Sequence, residues 1–151
     1  MPREIQHQGF TISDDPARLD AVAVHRFLSG VYWSENIPLS IVQRSLANSF
    51  CVGIYRGDGA QVGLIRLITD RATFAYVCDV YVLPEHRGLG LSKAAMQFVT
   101  SHPELQNLRR WQLVTKDAHR LYAQFGFVPV SEPDRHMEKR DPDVYRRLAA
   151  Q

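Results

Sequence analysis

The sequence predicts an α+β fold: a mainly antiparallel central sheet with one parallel strand pair, and helices on both faces. Three observations point to it. Gly57-Asp58-Gly59 separates the apolar runs 50–55 and 62–68, which is a hairpin signal. Asp70-Arg71 then turns the chain into a third run, 73–83, and completes an antiparallel meander. Beyond it come a glycine loop, an amphipathic run at 91–101 and another apolar run at 111–115. A helix between two strands brings them side by side in parallel through a right-handed crossover.

The other elements follow in order. Residues 5–12 read as a first strand. Asp14-Asp15-Pro16 reads as a helix start, with acidic caps and Pro at the first helical position. Leu19, Val22, Ala23 and Phe27 then recur at helical spacing up to Gly30, and 39–46 carries a second short helix. Between them, Val31-Tyr32-Trp33-Ser34-Glu35-Asn36-Ile37-Pro38 sets aromatics in a polar loop, which suits ligand contact or capping of the core. Helix 91–101 buries Leu91, Ala95, Phe98 and Val99, and Pro103 ends it. Asp117 starts a short helix that runs to Gly126, and 127–130 with 136–140 reads as a closing antiparallel pair. No repeat, low-complexity segment or long linker divides the chain, so 1–151 is expected to be one domain.

Composition narrows the function. With 18 Lys and Arg against 16 Asp and Glu, the net charge of +2 gives no case for nucleic acid binding. Cys51 and Cys78 lie in apolar strands and read as buried free thiols, and the scattered histidines have no zinc spacing, so no metal is expected. No run approaches the roughly 20 apolar residues of a membrane span, and Met1-Pro2-Arg3-Glu4 does not open a signal peptide. The cytoplasm is the expected compartment.

The most informative stretch is Arg87-Gly88-Leu89-Gly90-Leu91-Ser92, between the strand ending Val80-Tyr81-Val82 and the helix that opens at Leu91. Free N–H groups and the positive dipole end of a helix favour a phosphate there, and glycines let the backbone approach it closely. A tight turn without a ligand uses the same residues. Ser92-Lys93 is in the wrong order for a Walker loop, and no third glycine completes a dinucleotide fingerprint.

Two motifs together are more specific. Val80-Tyr81-Val82, Pro84, Arg87, Gly90 and Ser92 resemble the acetyl-CoA motif of the GNAT N-acetyltransferase superfamily, a hydrophobic-x-Val strand end, Pro, then Gln/Arg-x-x-Gly-x-Gly/Ala. Downstream, Ala118, Leu121, Tyr122, Gly126 and Phe127 match that family's Ala-x-x-Leu-Tyr-x-x-x-Gly-Phe. The resemblance implies two splayed parallel strands, 80–82 and 111–115, with pantetheine between them. It also implies pyrophosphate on the N–H groups of Gly88, Leu89, Gly90, Leu91, Ser92 and Lys93, and Arg87 and Thr115 beside the cofactor. Ser92 stands where the family has Gly or Ala, and Thr115 where many members have Asn.

The implied reaction is transfer of acetyl from acetyl-CoA to a primary amine by direct attack, without an acyl-enzyme. Tyr122 is then the general acid for the departing thiolate. Asp79, a carboxylate in an apolar strand, is either the base or a structural hydrogen-bonding group; Glu35, Asp70 and His119 are weaker bases. The acceptor, a small amine or peptide amine, is expected to meet Tyr32, Trp33, Glu35, Phe74, Tyr76 and the loop 131–135. Many members dimerise, so a homodimer is expected. Two other readings use the same residues: a non-catalytic CoA-binding regulatory module, and a nucleotide- or phosphate-binding scaffold.

Overall fold

The computed structural model describes all 151 residues. Six strands form one sheet in chain order: β1 (Glu4–His7), β2 (Phe10–Ser13), β3 (Phe50–Tyr55), β4 (Gln61–Thr69), β5 (Phe74–Val82) and β6 (Arg110–Leu113). All neighbours are antiparallel except β5 and β6, which are parallel. The helices are α1 (Ala21–Leu28), α2 (Leu39–Ala47), α3 (Leu91–Thr100), α4 (His119–Ala123) and α5 (Val144–Ala149). This is the α+β arrangement expected.

The sheet is covered on both faces. On one, α3 buries Leu91, Ala95, Met96, Phe98 and Val99 against Val52, Ile54, Ile65, Leu67, Val77 and Val82. Each large side chain so buried contributes about 1.5–3 kcal/mol. On the other, Val24 and Leu28 of α1 and Val42 and Leu46 of α2 cover Cys51, Leu64 and Tyr81. Strand β3 is therefore buried at all six residues, which explains its unbroken apolar run.

Four elements depart from the expectations. Residues 5–12 are a hairpin rather than a strand: Gln8 and Gly9 have φ of 48° and 84°, the two positive values of a type I′ turn. The helix expected from Asp14-Asp15-Pro16 is only a 3-10 turn (Pro16–Arg18) capped by Asp15; α1 starts after Asp20, whose carboxylate accepts from Ala23 N. The strands expected at 127–130 and 136–140 do not form. Pro129 lacks a donor in the middle of the first, and Val128 and Met137 are 79% and 97% exposed, with nothing to cover them. The outer edge of β6 is left without a strand partner. Finally, α5 had no place in the sequence reading; its Tyr145 packs against the α1–α2 cluster.

A buried polar pair joins the N-terminal hairpin to the far end of α3. His102 Nε2 lies 2.7 Å from Asp14 Oδ2, and both side chains are buried. His102 Nδ1 accepts from Glu104 N, so Nε2 carries the proton and donates to Asp14. The imidazole also lies edge-on to Phe50 and Phe98. His102→Ala is expected to cost about 2–4 kcal/mol, because it removes this packing and leaves a buried carboxylate oxygen unpartnered. Urea unfolding measures it through a lower midpoint at constant slope.

Candidate active site

The parallel pairing of β5 and β6 ends early. It runs from Phe74 opposite Arg110 to Val77 opposite Leu113 and goes no further, although β5 continues to Val82. Next to that point β5 carries one extra residue relative to β4, between Cys78 (opposite Arg66) and Tyr81 (opposite Leu64). Asp79 sits in this bulge at φ 46°. Leu83 N donates to Val62 O, so by strand alternation Tyr81 pairs with β4, while the peptide groups of Val80 and Val82 face the gap. A strand-shaped ligand with amides can satisfy such groups.

The glycine loop borders this gap. After a 3-10 turn (Pro84–His86), Gly88 and Gly90 have φ of 83° and 75°. Gly90 occupies the N-cap of α3 and supplies no side-chain cap. The first N–H with a protein acceptor is that of Ala94, which bonds Gly90 O; those of residues 88–93 have none. Six free donors, in the loop and at the positive end of the ten-residue helix that follows it, make this a candidate anion cradle. Arg87 Nε donates to Val82 O at 2.9 Å and so ties the loop to the strand end. Lys93 is exposed, Ser92 is half-buried, and Leu91 is sunk in the core, so Leu91 offers the loop only its backbone.

Across the gap, α4 holds Tyr122. Gly126 (φ 89°) closes that helix, with Phe127 N on Tyr122 O and Gly126 N on Ala123 O. The Tyr122 ring is 8% exposed and meets Phe127 edge-on. Burial raises its phenol above the usual tyrosine value, and the nearby Asp117 and Tyr32 add to this. The hydroxyl has no partner on the protein and stays protonated at neutral pH. A groove of about 1080 Å³ runs along the free edge of β6, lined by Trp111, Leu113, Thr115, His119 and Tyr122 among others.

A sequence model of the acetyltransferase (GNAT) family matches residues 16–127. The chain belongs to the GNAT acetyltransferase family. It is 48% identical to a GNAT-family protein of Xanthomonas campestris pv. campestris of known crystal structure, over 93% of this chain and 99% of that one, with a TM-score of 0.88. A Gibberella zeae protein placed among the acetyltransferases is 34% identical over 82% of this chain and 81% of its own. A Deinococcus radiodurans structure, also placed among the acetyltransferases, has a TM-score of 0.72 at 20% identity over 92% of this chain and 93% of that one, and speaks for the fold alone.

In this GNAT domain the candidate residues are sorted by position. Asp79 accepts from Trp33 Nε1 at 2.9 Å and from Arg66 Nε at 2.7 Å, so each carboxylate oxygen has a donor. The geometry favours the structural alternative over a free base. Trp33 in turn lies against Tyr32 and Phe27, which brings the aromatic loop to the bulge. Tyr76 is on the same side, near Arg66 and Asp79. Arg66 escaped the sequence reading, though it is the one charged residue in the run 62–68 and could have been singled out as Asp79 was.

Other candidates fall elsewhere. Tyr81 is not turned to the gap: its ring is buried and stacks on Phe27 at 3.9 Å, and its backbone pairs with β4. Phe74 starts β5 opposite Arg110, five residues from Asp79 and roughly 17 Å along the strand. Asp70 caps its own turn, accepting from the N–H groups of Thr73, Ala72 and Phe74 and from the Thr73 hydroxyl, which holds its carboxyl well below the usual range. It is no base for this site. Glu35 is exposed and makes no hydrogen bond to the cluster. Thr115 Oγ1 accepts from Ala118 N and so helps to start α4. Of the loop 131–135, Ser131 alone lines the groove. Burial pushes the Cys51 thiol up to about 12 and the Cys78 thiol up to about 11, so neither is a nucleophile at neutral pH. No helix is long and apolar enough to cross a membrane.

Proposed function

We propose that this protein transfers the acetyl group of acetyl-CoA to a primary amine. The observation that carries this reading is the pairing of six unsatisfied N–H groups at residues 88–93 with a sheet gap that faces the peptide groups of Val80 and the N–H of Val82, the Val82 carbonyl being held by Arg87. The cradle fits a pyrophosphate and the gap fits a chain with amides. The free N–H groups beside the bulge polarise the thioester carbonyl and stabilise the oxyanion.

The amine attacks the carbonyl carbon directly, the C–S bond breaks, Tyr122 gives its proton to the leaving thiolate, and the proton that the nitrogen sheds as the amide forms returns to the phenolate through water. The attacking nitrogen must first lose a proton. For a lysine-like amine at pH 7, about one molecule in 2500 is neutral, a cost of about 4–5 kcal/mol. Asp79 holds Trp33 and Arg66 rather than taking this proton, which passes to water in the open cleft. The acceptor lies against Tyr32, Trp33 and Tyr76, where aromatic faces suit a cationic amine.

The test is competition in thermal unfolding. At 100-fold over the dissociation constant, CoA or acetyl-CoA is expected to add about 2.7 kcal/mol and to raise Tm by about 5–10 °C. ATP and NAD are expected to do neither. A chain unmoved by CoA, or moved equally by ATP, does not have the proposed site. An amine panel that follows release of the CoA thiol then separates an enzyme from a regulatory CoA-binding module.

A further inference from the structure

The β1–β2 hairpin precedes the residues that match the family, 16–127, yet it grips the glycine loop. His7 Nε2 lies 2.9 Å from the Leu89 carbonyl oxygen, and Gln8 Nε2 donates to the same oxygen at 3.2 Å. A carbonyl only accepts, so His7 Nε2 carries the proton. Two residues on, Phe10 meets the His86 ring edge-on at 5.4 Å, at the other end of the loop. The hairpin is also fastened to the C-terminal end of α3 through Asp14 and His102. It therefore spans α3 from end to end.

The consequence follows from the geometry of one peptide. Leu89 C=O and Gly90 N–H belong to the same planar trans unit and point in opposite directions. Holding the oxygen toward His7 and Gln8 turns the Gly90 N–H away from the hairpin and keeps the carbonyl from facing an anion, which it would repel. Gly88 and Gly90 cannot fix this orientation themselves, because glycine passes between backbone regions at little cost. Nor does a side-chain cap fix it.

We propose that the β1–β2 hairpin is a brace that pre-orients the 88–90 loop for a pyrophosphate-bearing ligand, with His7 and Gln8 as its positioning residues. The proposal rests on reading that loop as the CoA pyrophosphate site. Pre-orientation removes part of the ordering cost that binding otherwise bears, so its loss reads out as affinity.

The test compares ligands with and without the pyrophosphate. In a His7→Ala/Gln8→Asn variant, Asn keeps the left-handed turn residue but draws the amide back from Leu89. Calorimetry is expected to show CoA binding about tenfold weaker than in the unmodified protein. Binding of S-acetylpantetheine, which reaches the gap and not the loop, is expected to stay within about twofold. His7→Gln, which can still donate an N–H toward Leu89, is expected to recover most of the CoA affinity. Unchanged CoA affinity in the double variant overturns the brace. So does an equal loss for S-acetylpantetheine, which would mean general damage to the fold. If the unmodified protein binds S-acetylpantetheine but gains nothing from the pyrophosphate, the site reading fails and takes the brace with it.

Discussion

Tyr122→Phe is expected to lower turnover on a productive amine by roughly 10²–10⁴ while leaving the affinity for acetyl-CoA nearly intact. The substitution removes one hydroxyl and keeps the ring, so the buried contact with Phe127 survives. The lost proton matters only as the thiolate departs, and so it appears in kcat rather than in ground-state binding. The pH profile gives the sign. Burial raises the Tyr122 phenol above its usual value near 10, so its proton is available throughout the neutral range and is lost only as pH rises through that higher value. A rising limb between pH 7 and 10 therefore reports deprotonation of the amine and persists in the variant. Wild-type turnover from Tyr122→Phe would remove the general-acid role and leave protonation of the thiolate to water.

Gly90→Val is expected to abolish the thermal shift given by CoA. Gly90 has φ 75°, where a β-branched residue is strained, and it stands at the mouth of the anion cradle. An added Cβ would lie 3.5 Å from His7 Nε2, an ordinary contact, but the γ-carbons of valine reach further and press on the hairpin as well as straining the loop. Strain of about 1–3 kcal/mol is expected to lower the ligand-free Tm as well. Gly90→Ala separates the two effects, since it carries a smaller strain and little bulk. It is expected to keep part of the CoA shift, whereas a full shift in Gly90→Val would mean that the phosphate binds elsewhere.

The architecture is legible from the residues wherever local pattern and burial agree. The meander β3–β4–β5 and helices α2 and α3 were legible because turn residues, apolar runs and caps are local features. The two family motifs placed Tyr122 and the glycine loop for the same reason: each lies in one short segment, with Gly88, Gly90 and Gly126 marking the positive φ values.

Relations between segments distant in the chain come from packing alone. Asp79 read as either a base or a structural group, because a lone carboxylate in an apolar strand needs a task or a partner. Its partners, Arg66 and Trp33, come from β4 and from the loop after α1, and no local pattern names them. The one-residue bulge turns the Tyr81 backbone to β4, and the register of β5 leaves Phe74 at the strand end far from Asp79; neither is encoded in the apolar run itself. The strands expected at 127–130 and 136–140 had suitable residues but no partner to cover them, and a strand exists only as part of a sheet. The grip of His7 and Gln8 on Leu89 joins residues more than 80 positions apart, 82 and 81 respectively. Side-chain type and spacing fix what a segment is able to become; the long-range packing of the sheet fixes which of its groups are satisfied and which are left free to act.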